Sequence, residues 1–254
     1  DIYDRGRSEE ILGKALTGVP RDRYVLATKV GNPMSDTDPT RQGLSPKWIA
    51  RACDDSLRRL GVDHIDLYQA HRPDPSIPLE DTLGAFHELV VAGKVLAIGT
   101  SCFGSTRLTE AARVSVEHGW RPVTSEQPPY SLLARGIERD VVPTCRDLEV
   151  GLLVWAPLNG GWLTGKYQSD AGGAQSRAQR EPDHFDHRDI AMRTTKREMV
   201  ARLAGVAAAA GLTLPGLALG FVLARPEVAS ALLGPRTPAQ LDELLATGVP
   251  VIDS

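Results

Sequence analysis

An α/β fold of the (β/α)8 TIM-barrel type is predicted for this chain by three observations. Strand-like apolar runs alternate with helix-like stretches, which calls for a parallel sheet with right-handed crossovers. The runs end in polar or glycine chemistry, and a barrel of this type carries its active site at the carboxyl ends of its strands. The length, 254 residues, suits one domain of about 250 residues. The chain therefore reads as a single domain over residues 1–254.

The strand-like runs are Val25–Lys29, Ile65–His71, Val95–Ser101, Val123–Gln127, Gly151–Trp155 and Ala231–Gly234. If they are parallel neighbours, Lys29, His71, Ser101, Gln127, Trp155 and Gly234 converge on one mouth. The helices between them carry readable ends. Ser8 before Glu9-Glu10 reads as an N-cap with acids in the first turn. Ser45-Pro46 opens a second helix with proline at N1; Ile49, Cys53, Leu57 and Leu60 form its apolar face and Gly61 stops it. Pro78 opens a third, in which Leu79, Leu83, Phe86, Leu89 and Val90 recur at helical spacing. Further helices are expected at 107–118, 137–148, 199–210, 217–224 and 238–246. The interval Gln168–Thr195 is polar and aperiodic, and a stretch of that length is expected to be a functional loop, here a lid or cofactor clamp.

Bulk properties exclude several classes. A net charge of -3 with 24% charged residues offers no basic field for nucleic acid or an anionic membrane. The longest apolar run, near Ala204–Ala210, falls far short of the roughly 20 residues a span requires. Three cysteines, Cys53, Cys102 and Cys145, are odd in number and lack metal-ligand spacing, which favours a reducing compartment, the cytoplasm, and no metal. The chain opens Asp1-Ile2-Tyr3 without methionine, so its start reads as processed, trimmed or fragmentary.

Taken singly, Lys29 is a solvated strand end, His71 a rim histidine and Tyr3 a residue near a frayed terminus. Together they are the three types that a carbonyl reduction needs. A tyrosine hydroxyl can donate a proton to a forming alkoxide, and a nearby ammonium favours its phenolate. A neutral imidazole can hold and polarise the carbonyl oxygen.

Several motifs resemble the aldo-keto reductase family. Tyr3-Asp4-Arg5-Gly6-Arg7-Ser8-Glu9-Glu10-Ile11-Leu12-Gly13 looks like its segment with an active-site tyrosine before a Gly-x-Ser-Glu helix start. Gly61–Tyr68, with Asp66-Leu67-Tyr68 and His71, resembles its fourth strand. Trp155-Ala156-Pro157-Leu158-Asn159-Gly160-Gly161-Trp162-Leu163-Thr164-Gly165-Lys166-Tyr167 resembles its loop after strand seven. Gly234-Pro235-Arg236-Thr237-Pro238-Ala239-Gln240-Leu241 resembles its terminal cofactor motif. The branch most similar holds potassium-channel β-subunit-like proteins and bacterial sugar or aldehyde reductases.

The resemblance implies an NADPH-dependent reductase of an aldehyde, ketone or sugar carbonyl. Tyr3 is then the general acid, Lys29 its pKa-lowering partner and His71 the carbonyl-orienting donor. Ser101, Cys102 and Gln127 hold the nicotinamide end and Trp155 stacks on the ring. Ala156, Pro157, Leu158 and Lys166 meet the pyrophosphate. Gly234, Arg236 and Gln240 frame the adenosine end, with the Arg236 fork pairing to a 2′-phosphate. The implied partner is a small-molecule carbonyl substrate, with no nucleic acid and no membrane. A cofactor-binding regulatory protein like the channel β subunits, or an inactive remnant, are the alternatives; His71, where those subunits tend to have asparagine, favours catalysis.

The chain departs from the pattern at three places. Cys102 stands where asparagine or arginine is common, and Leu244 where asparagine is usual. The family's aspartate five residues before the tyrosine has no counterpart ahead of Tyr3. Counting strands backwards implies a barrel lacking its first strand, first helix and second strand, and hence a piece with impaired activity by itself.

Overall fold

The computed structural model describes residues 2–168, 176 and 190–247. The chain divides into two compact units, Asp1–Gln127 with Asp140–Gly151, and Pro128–Arg139 with Leu152–Ser254.

In the first unit, strands β1 (Ala27–Val30), β2 (Ile65–Ala70), β3 (Val95–Thr100) and β4 (Val123–Glu126) alternate with helices α1 (Arg7–Leu16), α2 (Pro46–Leu60), α3 (Leu79–Val91) and α4 (Gly104–His118), and α5 (Val141–Asp147) follows. Each strand pairs in parallel with the next in sequence. Side chains alternate across a strand, so Thr28 and Lys29 face opposite ways. Lys29, Gln69, Gly99 and Ser125 form one register row across the four strands. A Cβ on Gly99 would lie 2.4 Å from Ser125 Oγ and 3.0 Å from Gln69 Cγ. Only glycine lets that row close.

The helices follow their sequence signals closely. Ser45 Oγ accepts from Trp48 N at 3.4 Å, Pro46 occupies the first turn and Gly61 ends α2 in the left-handed region. Trp48, Ile49, Ala52, Cys53 and Leu60 are buried along one face, and each large apolar side chain so buried contributes about 1.5–3 kcal/mol. Cys53 and Cys102 are free thiols.

In the second unit β5 (Gly151–Trp155) pairs in parallel with β6 (Val228–Leu232), and α6 (Ile190–Ala209), α7 (Leu214–Leu223) and α8 (Pro238–Ala246) complete it. Its core gathers Trp162, Leu163, Tyr167, Val200, Leu214 and Ala218. Thr213 and Thr237 cap α7 and α8 through their hydroxyls. No single helix among the described residues is long and apolar enough to cross a membrane.

Several boundaries differ from the sequence expectation. Ser8 is not an N-cap: α1 begins at Arg7 after a left-handed Gly6, with no side-chain cap bond. Residues 137–138 sit in a 3-10 turn, and α5 begins only at Val141, where the Asp140 carboxylate takes the first amide. The sixth strand runs Val228–Leu232 rather than Ala231–Gly234; apolar character alone placed it too late. Residues 190–195 belong to α6, so the aperiodic interval is shorter than expected. Residues 169–175 and 177–189, the rest of the expected lid, lie outside the described residues.

Candidate active site

Tyr3 opens a short 3-10 segment, Tyr3–Gly6, that runs directly into α1. What seats this segment is a buried network. Glu9 receives Thr28 Oγ1 at 2.5 Å and Arg59 Nε at 2.7 Å. A Cβ on Gly6 would meet Arg59 Nε at 2.6 Å, so glycine there lets the guanidinium pass. Burial pushes the Glu9 carboxyl up, but the positive amino terminus first, then the Thr28 bond and the charge and bond of Arg59, hold it below its ordinary value. Through this network the Tyr3 segment is tied to the residue adjoining Lys29.

The structure brings Tyr3, Lys29 and His71 together. The Lys29 ammonium lies over the Tyr3 ring, 5.2 Å from its centroid, and the Tyr3 and His71 rings are 5.7 Å apart. His71 leaves the end of β2, its amide bonded to Val30 O at 2.8 Å, and is 8% exposed. Burial, then the charges of Lys29 and Arg72, push its imidazole down to about 4. It is therefore neutral at physiological pH. Burial and Arg72 also lower the Lys29 ammonium. The Tyr3 phenol stands above its ordinary value, because partial burial outweighs the opposing charge of Arg72. Tyr3 remains 53% exposed, so its proton can exchange with water.

A second group lies at the ends of β3 and β4. Ser101 Oγ donates to Gln127 O at 2.8 Å, and Gln127 N donates to Thr100 O at 2.8 Å. Cys102 adopts φ of 56°, and its thiol faces Gln127 O at 3.8 Å. The turn is held by Glu126, which is fully buried. Its carboxyl takes Thr100 Oγ1 at 2.5 Å and Phe103 N at 3.1 Å. Burial raises that carboxyl despite these bonds.

In the second unit Trp155 ends β5, half-buried, its amide bonded to Pro128 O at 3.0 Å. The turn after it is a run of left-handed backbone: Ala156 at φ 55°, Asn159 at 48°, Gly160 at 65°, Gly161 at 96° and Gly165 at 79°. Successive amides in such conformations can form an anion-receptive concavity. Pro157 is buried and Leu158 half-buried within it. A Cβ on Gly161 would lie 2.6 Å from Lys166 Cε, so the lysine folds across this glycine, its Nζ 5.2 Å from the Tyr167 ring centroid.

Gly234, Arg236 and Gln240 are exposed in the segment leading to α8. Thr237 Oγ1 accepts from Gln240 N at 3.2 Å, while Gln240 Oε1 accepts from Arg236 N at 2.8 Å. This is a reciprocal cap, and it occupies one face of the Gln240 amide. Leu244 follows on α8, half-buried.

Sequence reasoning did not single out Glu9, Arg72 or Glu126 as parts of the site. Arg72 adjoins His71 and Glu126 adjoins Gln127, so their neighbours were the available signal. Nothing local marks Glu9, whose partners lie 19 and 50 residues away.

A sequence profile of the aldo/keto reductase family matches residues 1–253. The oxidoreductase YrpG of Bacillus subtilis, itself uncharacterized, is 36% identical over 246 residues, spanning 94% of this chain and 72% of that protein. A probable voltage-gated potassium channel subunit beta of Arabidopsis thaliana is 32% identical over 251 residues, 96% of this chain and 74% of its own. Probable aldo-keto reductase 1 of Glycine max is 37% identical over 166 residues, 65% of this chain and 46% of that one. With the tyrosine, lysine and imidazole gathered at the ends of parallel strands and the match running through residue 253, the chain belongs to the aldo/keto reductase family of oxidoreductases.

Proposed function

We propose that the chain acts as an NADPH-dependent reductase that converts an aldehyde, ketone or sugar carbonyl to the alcohol. The observation that carries this reading is the contact of Tyr3 with both Lys29 and His71. A bound reduced nicotinamide supplies the hydride for the carbonyl carbon. Neutral His71 donates a hydrogen bond to the carbonyl oxygen and fixes its orientation. The Tyr3 hydroxyl gives its proton to that oxygen as negative charge develops. Lys29 and Arg72 favour the phenolate left behind, and the exposed phenol regains a proton from water.

Each unit, taken by itself, carries residues that suit part of such a cofactor. Ser101 Oγ, already donating to Gln127 O, keeps lone pairs for a carboxamide N–H, and Gln127 and Cys102 flank it. Half-buried Trp155 offers a ring face. The left-handed turn at Ala156, Pro157 and Leu158, with Lys166, suits a pyrophosphate. Gly234, Arg236 and Gln240 suit the adenosine end, where a planar guanidinium fork matches a 2′-phosphate. In this reading both units are parts of one TIM-type reductase domain of the cytoplasm, its partner a small-molecule carbonyl compound.

The likeness to a channel β subunit brings a second reading, a cofactor-binding regulatory protein. Titrating NADPH against tryptophan fluorescence and following NADPH oxidation with a panel of aldehydes separates the two. Quenching with turnover supports the reductase; quenching without turnover supports regulation. A flat titration on folded protein overturns cofactor binding altogether.

A further inference from the structure

The first unit opens a cleft of about 380 Å³ that takes in Arg72, the residue after His71. Its walls come from the segment after β1, at Gly31, Gln42 and Leu44, and the segment after β2, at Arg72, Asp74 and Ser76. Asp74 sews the two walls together. Its Oδ2 takes Leu44 N at 2.9 Å, and its Oδ1 takes Ser76 N at 3.0 Å and Ser76 Oγ at 2.5 Å. Both of its oxygens are thus engaged by donors. Another polar side chain on the wall, Ser45 Oγ, caps α2.

Arg72 differs. Among the described residues its guanidinium makes no hydrogen bond and no ion pair, although many other arginines of this unit do, including Arg5, Arg21, Arg58, Arg59, Arg107 and Arg113. Its charge bears on Tyr3, Lys29, His71 and the buried Glu126 carboxyl, and it follows His71 directly in the chain. A planar five-donor fork with no hydrogen-bond or ion-pair partner among the described residues, on a cleft wall one residue from His71, matches the geometry of a carboxylate or phosphate. Gly31 supports the continuity of cleft and site: a Cβ built on it would lie 3.9 Å from His71 Cβ.

We propose that Arg72 and this cleft form an anion subsite, so that the preferred substrate is a carbonyl compound carrying a carboxylate or a phosphate. The proposal rests on the reductase reading above for the word substrate, but the subsite itself does not. Arg72 positions the anionic arm while His71 and Tyr3 meet the carbonyl oxygen. The attraction operates at an exposed guanidinium, so it must weaken with salt.

The experiment compares wild type with Arg72→Gln and Arg72→Lys on two pairs of probes: 4-oxobutanoate against its amide, and glyceraldehyde 3-phosphate against glyceraldehyde. Wild type is expected to show kcat/KM at least about tenfold higher for one charged member than for its neutral partner. That ratio should fall about tenfold in R72Q, recover in part in R72K, and shrink as ionic strength rises. Whichever pair shows the preference identifies the anion. Calorimetric titration of the same probes into each variant reads the subsite without turnover. Arg72-dependent binding of a charged probe with no reduction of any probe would sustain the subsite and remove the reductase reading. Equal treatment of charged and neutral probes by wild type, or equal losses on both in R72Q, overturns the proposal, as does calorimetry in which neither anion binds.

Discussion

In the proposed reading the two units meet their functions by opposite means. Around Tyr3, Lys29 and His71 the work falls to side chains, and the backbone's part is to hold them still through strands and the Glu9 network. Between Trp155 and Gly165 the backbone itself would be the instrument, through a run of left-handed residues. The first arrangement is sensitive to side-chain charge and burial; the second is sensitive to conformational freedom. A mutation that ruins one should leave the other's observable nearly intact.

Four substitutions sharpen that contrast. Tyr3→Phe removes the proton donor and should lower kcat by about 10²–10⁴-fold, while NADPH still quenches tryptophan fluorescence; unchanged turnover would remove Tyr3 from the chemistry. Glu9→Ala leaves half-buried Arg59 without its carboxylate and should cost about 2 kcal/mol of stability by urea unfolding, together with lost activity as the Tyr3 segment loosens. A loss within experimental error would mean that the network does not anchor the segment.

His71 supplies a pH signature. Its folded value, about 4, lies below the ordinary 6.5, so the unfolded chain binds the extra proton between those values. Stability must therefore fall as pH drops from 6.5 toward 4, by about 2 kcal/mol from this group, and His71→Asn should flatten that part of the profile. The smallest effect is expected in the second unit. Gly161→Ala forces a Cβ at φ 96° against the Lys166 side chain and should cost about 1 kcal/mol. NADPH affinity should weaken by about tenfold there, with thermal unfolding of the Tyr3 region unaffected. Identical NADPH binding would argue against a backbone anion site.

Much of this was legible in the residues. The helix spanning Pro46–Leu60 announces both ends, by a serine-proline start and a glycine stop, because caps are local chemistry. So does α8, where Thr237 and Gln240 sit at capping-box spacing. Strand β2 reads correctly because it is buried on both faces, and Ile65, Leu67, Tyr68 and Ala70 give it a mainly apolar run. Strand β6 misled because most of it is exposed or half-buried, and its apolar residues do not mark its register. Ser8 misled because a left-handed Gly6 had already turned the chain. The conformation of Ala156 carries no sequence mark, whereas Asn159, Gly160 and Gly161 are of types that favour the left-handed region.

Residue types and their spacing alone determined the alternation of strand and helix, the caps, and the candidates Tyr3, Lys29 and His71, since each depends on neighbours a few positions away or on the chemistry of one side chain. Tertiary structure decided the rest. It put Glu9 against Thr28 and Arg59, drove the His71 imidazole neutral by burial beside cations, and set Arg72 on the wall of a cleft. These depend on distance through space and on solvent exclusion, which no local stretch of chain encodes.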